Sequence, residues 1–136
     1  MSTIENPKIL AVDDAPDNLF LLEILLGEER DYQLSCVSDG RSAIQAVESS
    51  PPDLILLDVG MPDLDGFEVT RRIRNNRTLP YMPILLVTAH DSSITQQALA
   101  AGADKIIHKP YDIENLLEIV ETSLRHQCEC GCGCEQ

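Results

Sequence analysis

Five short apolar runs, each followed by a longer segment with helical spacing, constrain what this chain can fold into. Lys8–Val12, Tyr32–Val37, Leu54–Leu57, Pro83–Val87 and Lys105–His108 have the length and composition of strands. The segments Asn18–Leu26, Arg41–Ser49, Gly66–Arg74 and Ile94–Ala101 read as helices, as does a fifth on which Ile113, Leu116, Leu117, Val120 and Leu124 recur on one face. Turn residues punctuate the alternation. Pro16, with Asp14 just before it, opens the first helix, and Gly27 is placed to cap its end. Ser38-Asp39-Gly40 reads as a turn, Pro51-Pro52 breaks the chain, and Gly102 ends the fourth helix. Strands alternating with helices give an α/β, doubly wound parallel sheet with helices on both faces, joined by right-handed crossovers.

At 136 residues the chain is one domain with room for a substantial core. No apolar run approaches the roughly 20 residues of a membrane span. Met1–Asn6 lacks the basic flank and apolar centre of a secretory signal, so the expectation is a cytoplasmic protein with no membrane partner. The net charge of −13 argues against a broad phosphate footprint, hence against nucleic acid. Asp13, Asp14, Asp58, Asp63 and Asp65 are read as contributing to one mutually repelling acidic region.

In open parallel sheets, sites form beyond the carboxyl ends of the strands. Asp13-Asp14 follows the first run, Asp58 ends the third, Thr88 ends the fourth and Lys109 follows the fifth. Carboxylates at two strand ends suit a hard cation such as Mg²⁺, which takes oxygen ligands. A hydroxyl and an ammonium suit the oxygens of a phosphoryl group. Singly, each residue has a plainer role: Asp14 as a helix cap, Thr88 as a β-branched strand end, Lys109 as a solvated charge. Together, at four strand ends, they describe a phosphorylation switch. Met61-Pro62 reads as a turn and Asp65-Gly66 as a helix start. Asn18 reads as an exposed polar residue, with a place facing the site from the first helix as the second reading, and His90, His108 and His126 show no metal-ligand spacing.

Asp13-Asp14, Asp58, Met61–Gly66, Thr88-Ala89, Ala101–Asp104 and Lys109-Pro110, in that order, resemble the receiver domain of two-component response regulators. The resemblance spans about residues 7–126. It leaves 1–6 as an N-terminal extension and 127–136 as a Cys-rich flexible tail. It implies a five-stranded sheet of order 2-1-3-4-5 with five helices. It further implies that Asp58 is the phosphoacceptor and that Asp14 and Asp58 ligate Mg²⁺. Asp13, directly or through water, and the Gly60 carbonyl would complete the protein ligands. Lys109 would hold the phosphoryl group, and Thr88 would swing toward it. Ile106 falls where many receivers carry an aromatic switch residue; lacking a polar tip and stiff at χ1, it leaves the signal to the loop from Thr88 to Ser92.

The implied partners are a sensor histidine kinase, a histidine phosphotransfer protein, or a downstream target met by protein contact. The chain reads as a stand-alone receiver, with a receiver taken from a hybrid kinase as the other possibility. It is expected to catalyse only its own phosphorylation and dephosphorylation. A turnover phosphatase of the haloacid dehalogenase type needs a second aspartate two residues after the nucleophile, where this chain has Gly60.

The tail belongs to no such pattern. Cys128/Cys132 and Cys130/Cys134 are each separated by three residues, within zinc-ligand spacing. A thiolate metal-binding or redox module, a lipidated tail and an inert one that oxidises adventitiously all stay open. Cys36, within a strand, reads as a small core residue.

Overall fold

The structure, a computed structural model, describes residues 7–28, 32–61, 63–89, 95–109 and 112–131, without the side chains of 28, 95 and 125–131. Five parallel strands form one sheet: β1 (Lys8–Val12), β2 (Gln33–Val37), β3 (Leu54–Asp58), β4 (Ile84–Thr88) and β5 (Lys105–His108), in the order β2-β1-β3-β4-β5. The connecting helices are α1 (Pro16–Leu22), α2 (Gly40–Ser49), α3 (Gly66–Asn75), α4 (Thr95–Ala101) and α5 (Ile113–Gly131). Every residue of β3 and β4 is buried, as expected of central strands covered on both faces.

Pleat parity sorts the strands into two cores. Leu10, Val12, Ile55, Leu57, Ile84 and Leu86 pack with Ala43, Val47, Val69, Ile73 and Ala98 of α2, α3 and α4. Their strand neighbours Ile9, Ala11, Leu54, Leu56, Leu85 and Val87 pack with Leu22 of α1 and with Leu116, Leu117, Val120 and Leu124 of α5. A one-residue slip of any strand would exchange its two faces.

Three expectations are corrected. The first helix does not stop at a glycine cap. Its turns widen at Glu23 into a π-helical segment, Glu23–Glu28, that contains Gly27. Leu22, Leu25 and Leu26 are buried across this change, and among the described residues Gly102 is the glycine with positive φ. Ile113 is 41% exposed, because α5 reaches the core only at Leu116. Asp39 and Gly40 are not a free turn: Asp39 caps α2, accepting the Ser42 amide at 2.7 Å, and Gly40 is the first helical residue. The backbone of α5 continues to Gly131. Pro62, His90, Ile94, Pro110, Tyr111, Cys132 and Cys134, together with residues 1–6, lie outside the described residues.

The end of the sheet away from the strand carboxyl ends is tied by one guanidinium. Arg74, in the last turn of α3, donates to the carbonyls of Met82 at 2.7 Å and Gly102 at 2.9 Å, and to Asp104 Oδ2 at 2.7 Å. It also lies over the Tyr81 ring. Asp104 in turn accepts the Ile84 amide at 2.8 Å and the Tyr81 hydroxyl. Four elements are thus joined by donors in a fixed fork that lysine cannot reproduce. Arg74→Lys is expected to recover little of the roughly 1.5 kcal/mol that Arg74→Ala loses. Urea unfolding of both variants checks this, and a fully stable lysine variant would contradict it.

Candidate functional site

The strand order places the site. From β1 the chain crosses to β2 on one side and then returns to β3 on the other, opening a crevice between the carboxyl ends of β1 and β3. Asp13 and Asp14 leave β1 there, and Asp58 ends β3. One carboxylate oxygen from each of the three lies within 4.8 Å of the others.

Asp13 is buried and held within the chain. Its Oδ1 accepts the Ala15 amide at 2.9 Å, and its Oδ2 accepts the Asn18 side-chain amide at 3.0 Å. Asp14 is exposed at the mouth of the crevice. It is not a helix cap, since α1 is capped at Ala15 without a side-chain bond. Asp58 is 9% exposed. Beneath the carboxylates is a cavity of about 10 Å³ walled by Val12, Leu22, Leu56, Val87 and Leu116. Burial there pushes the Asp58 carboxyl above the usual carboxylate range and the Asp13 charge adds to the rise, while Lys109 opposes both.

Lys109 reaches over both buried acids, its Nζ 3.7 Å from Asp13 Oδ2 and 3.8 Å from Asp58 Oδ1. Its amide donates to the Thr88 carbonyl at 2.7 Å, which locks the end of β5 to the end of β4. Thr88 is 1% exposed and stands on the strand next to Asp58. Gly60 is exposed, and its amide donates to Asp58 Oδ1 at 3.3 Å. Ile106 is half-buried and packs into the core on the α2–α4 face.

Two of the five acids read as one region do other work. Asp63 accepts the amides of Gly40 at 3.0 Å and Arg41 at 3.1 Å, so it caps α2 from the β3–α3 loop. Asp65 caps α3 through the Glu68 amide at 2.9 Å. Of the two readings of Asn18, the one that faces the site holds: it is half-buried against Asp13. Helical position alone held a hint, since the first turn after Asp13-Asp14 must pass the site.

The α2 cap has a pH consequence. The backbone amides hold Asp63 down to about 2, below the roughly 3.9 of an unfolded aspartate. Its contribution to stability is therefore complete above about pH 4 and is lost as the pH falls toward 2. Asp63→Asn is expected to lower the urea midpoint at neutral pH, with the gap to the parent closing through that window. A gap that persists at about pH 2 would show that the cap does not depend on charge.

Comparison with known proteins agrees with the geometry. The sequence model of the response regulator receiver domain matches residues 9–121. Response regulator ArlR of Staphylococcus saprophyticus is 38% identical over 121 residues, covering 88% of this chain and 53% of that protein. The chain thus spans about half the length of this curated relative. Chemotaxis protein CheY4 of Vibrio cholerae superimposes with a TM-score of 0.80 at 30% identity, covering 86% of this chain and 98% of that one. The receiver domain of sensor histidine kinase PA1611 from Pseudomonas aeruginosa, which has a magnesium ion coordinated in its active site cleft, superimposes with a TM-score of 0.76 at 32% identity over 88% of this chain and 98% of that one. With its strand order, acidic crevice and bridging lysine, this chain belongs to the receiver domain family of two-component response regulators.

Proposed function

We propose that the chain takes a phosphoryl group from a histidine kinase or histidine phosphotransfer protein onto Asp58 and signals by protein contact or onward transfer. The observation that carries this is Lys109 standing within 4 Å of two buried carboxylates at the β1/β3 crevice. An Asp58 oxygen attacks phosphorus as the donor's N–P bond breaks, and the pair left on nitrogen takes a proton. Lys109, a compact point charge, turns from the carboxylates to an equatorial oxygen of the incoming group.

Three carboxylates and one ammonium, all ionised, leave a formal charge of −2 that one divalent cation neutralises. The donor set is all oxygen, which fits Mg²⁺. Asp14 and Asp58 would hold it, with Asp13 directly or through water and the Gly60 carbonyl. When bound, the ion offsets charge on the phosphoryl oxygens. Asp13 is oriented for this by Ala15 and Asn18. The Thr88 hydroxyl would follow the phosphate, and Ile106, apolar and packed, would leave the response to the loop after Thr88. Phe20, 65% exposed, and Leu21, 40% exposed, lie on α1, the helix that follows Asp13-Asp14, and would offer an apolar contact to a donor protein. Among the described residues no helix is long and apolar enough to cross a membrane, and we place the signalling in the cytoplasm.

Incubation with a small phosphodonor and Mg²⁺ is expected to add one phosphate per chain. Chelator should stop the uptake without unfolding the domain, whose two cores do not include the ion. Uptake unchanged in chelator would defeat the metal assignment.

A further inference from the structure

The two edges of the sheet are unlike. β5, at one edge, carries exposed Lys105, and a charged side chain is a usual guard against pairing with another strand. β2, at the other edge, reads Gln33-Leu34-Ser35-Cys36-Val37, with no charge, proline or glycine along it. In a chain of net charge −13 this is a neutral, unguarded edge. No residue of β2 is fully buried, whereas every residue of β3 and β4 is.

The ladder with β1 decides which backbone groups face outward. The Gln33 amide donates to the Pro7 carbonyl at 2.9 Å, and the Val37 carbonyl accepts the Asp13 amide at 3.2 Å. With Ser35 opposite Leu10, residues 33, 35 and 37 direct their backbone groups at β1. Alternate residues of a parallel ladder point theirs the other way, so the amides and carbonyls of Leu34 and Cys36 face away from the sheet. Among the described residues no further segment is hydrogen-bonded to them.

We propose that β2 is the seam of a weak homodimer, in which β2 of a second copy adds antiparallel about a two-fold axis at Ser35. Leu34 of each copy then exchanges both backbone bonds with Cys36 of the other, and every outward group of the two strands is met. Ser35 faces its own counterpart as the pair without hydrogen bonds, about 4.5 Å apart between Cα atoms, which its small side chain suits. On the α1 and α5 side of the seam, half-buried Leu34 packs on half-buried Cys36 of the other copy. A second copy is the occupant because its strand brings the same uncharged side chains and the same spacing of outward groups. Two strands of five residues bury less than the roughly 1,200 Å² of a standard interface, so the dimer depends on concentration. The strands run in opposite directions across the seam. The two Asp58 crevices therefore lie at opposite ends of the joined sheet, and both stay open.

The test is sedimentation of the reduced full chain, from micromolar to millimolar concentration, beside Ser35→Lys. Ser35 is exposed, so the variant keeps the monomer fold, which urea unfolding checks, and it sets like charges face to face across the seam. The parent is expected to dimerise, and more tightly as added salt screens the −13 charge of each copy. The variant is expected to dimerise about fivefold more weakly or worse. The register is read by treating Ser35→Cys and Gln33→Cys with oxidised glutathione and mapping disulfides between copies by peptide mass. Ser35→Cys is expected to link to itself, at a Cα spacing within disulfide range. Gln33→Cys is expected not to, since position 33 of one copy lies opposite position 37 of the other. A parent that stays monomeric, a dimer that dissociates as salt rises, or one equally tight in Ser35→Lys overturns the seam. Self-linking of Gln33→Cys as complete as that of Ser35→Cys overturns the register.

Discussion

Asp58→Asn is expected to take up no phosphate and, in chelator, to melt at a higher temperature than the parent. Both effects have one origin. The asparagine amide is no nucleophile toward phosphorus, and neither Asp13 nor Asp14 replaces Asp58: Asp13 has both oxygens engaged by Ala15 and Asn18, and Asp14 points to the exposed mouth. The stability gain follows from linkage. Burial, then Asp13, raises the Asp58 carboxyl above its ordinary value, so the folded state holds that proton more tightly than the unfolded one. Its contribution is neutral below the unfolded value and turns unfavourable as the pH rises through the unfolded and then the folded value. A neutral amide of the same shape removes that penalty. At roughly 4 °C per kcal/mol for a domain of this size, the gain is readable by calorimetry. Lys109 bounds it, because the ammonium near both acids already offsets part of the repulsion. Intact mass after exposure to a phosphodonor, with melting in chelator and in Mg²⁺, makes the measurement. One phosphate on the variant would move the acceptor elsewhere, and a lower melting temperature would make Asp58 a structural group.

The alternation of runs carried the sheet, because parity forces each strand's odd and even residues onto different layers. The order 2-1-3-4-5 was legible through resemblance, not periodicity, since no local pattern says on which side of β1 a later strand will pair. The site residues were legible because they stand where strands stop: Asp13, Asp14, Asp58, Thr88 and Lys109 meet at one edge. What misled was charge without geometry. Asp63 is an acid close in sequence to Asp58, yet it serves orphan amides of α2, whereas Asp65, grouped with the same acids but read also as a helix start, does cap α3. An aspartate just ahead of a helix is identical in composition whether it caps or coordinates, and only the partner amide decides. Asn18 was legible only as the second of two readings, because its value lies in a bond to a residue five positions earlier. The π-helical turns after Leu22 also had no local mark, since Leu22, Leu25 and Leu26 fit an ordinary helix equally well.

The glycines of the β3–α3 loop give the second large effect, and they separate sharply. Gly66→Ala is expected to destabilise the domain by roughly 3 kcal/mol and to slow phosphate uptake, whereas Gly60→Ala should stay within about 0.5 kcal/mol of the parent. A methyl at Gly66 would stand 2.8 Å from the Asp58 carbonyl oxygen, 2.9 Å from Val59 Cα and 3.1 Å from the Leu86 side chain. The first two obstacles are backbone, which no rotamer change relieves. Conformation is not the reason, since Gly66 lacks the positive φ of Gly102. The requirement is close approach of α3 to the end of β3, fixed by the Gly66 amide donating to the Val59 carbonyl at 2.9 Å and by Asp65 capping the same turn. Alanine's helix propensity returns about 1 kcal/mol, too little to offset the clash. Relief must come from α3 moving off the strand, and the strand end that moves with it carries Asp58, the proposed phosphoacceptor. At Gly60 nothing lies within 4 Å of an added methyl. Urea unfolding with a time course of phosphate uptake tests the pair. Equal stability of the two variants would mean that the α3–β3 contact is slack, and normal uptake by a destabilised Gly66→Ala would uncouple the packing of α3 from the position of Asp58.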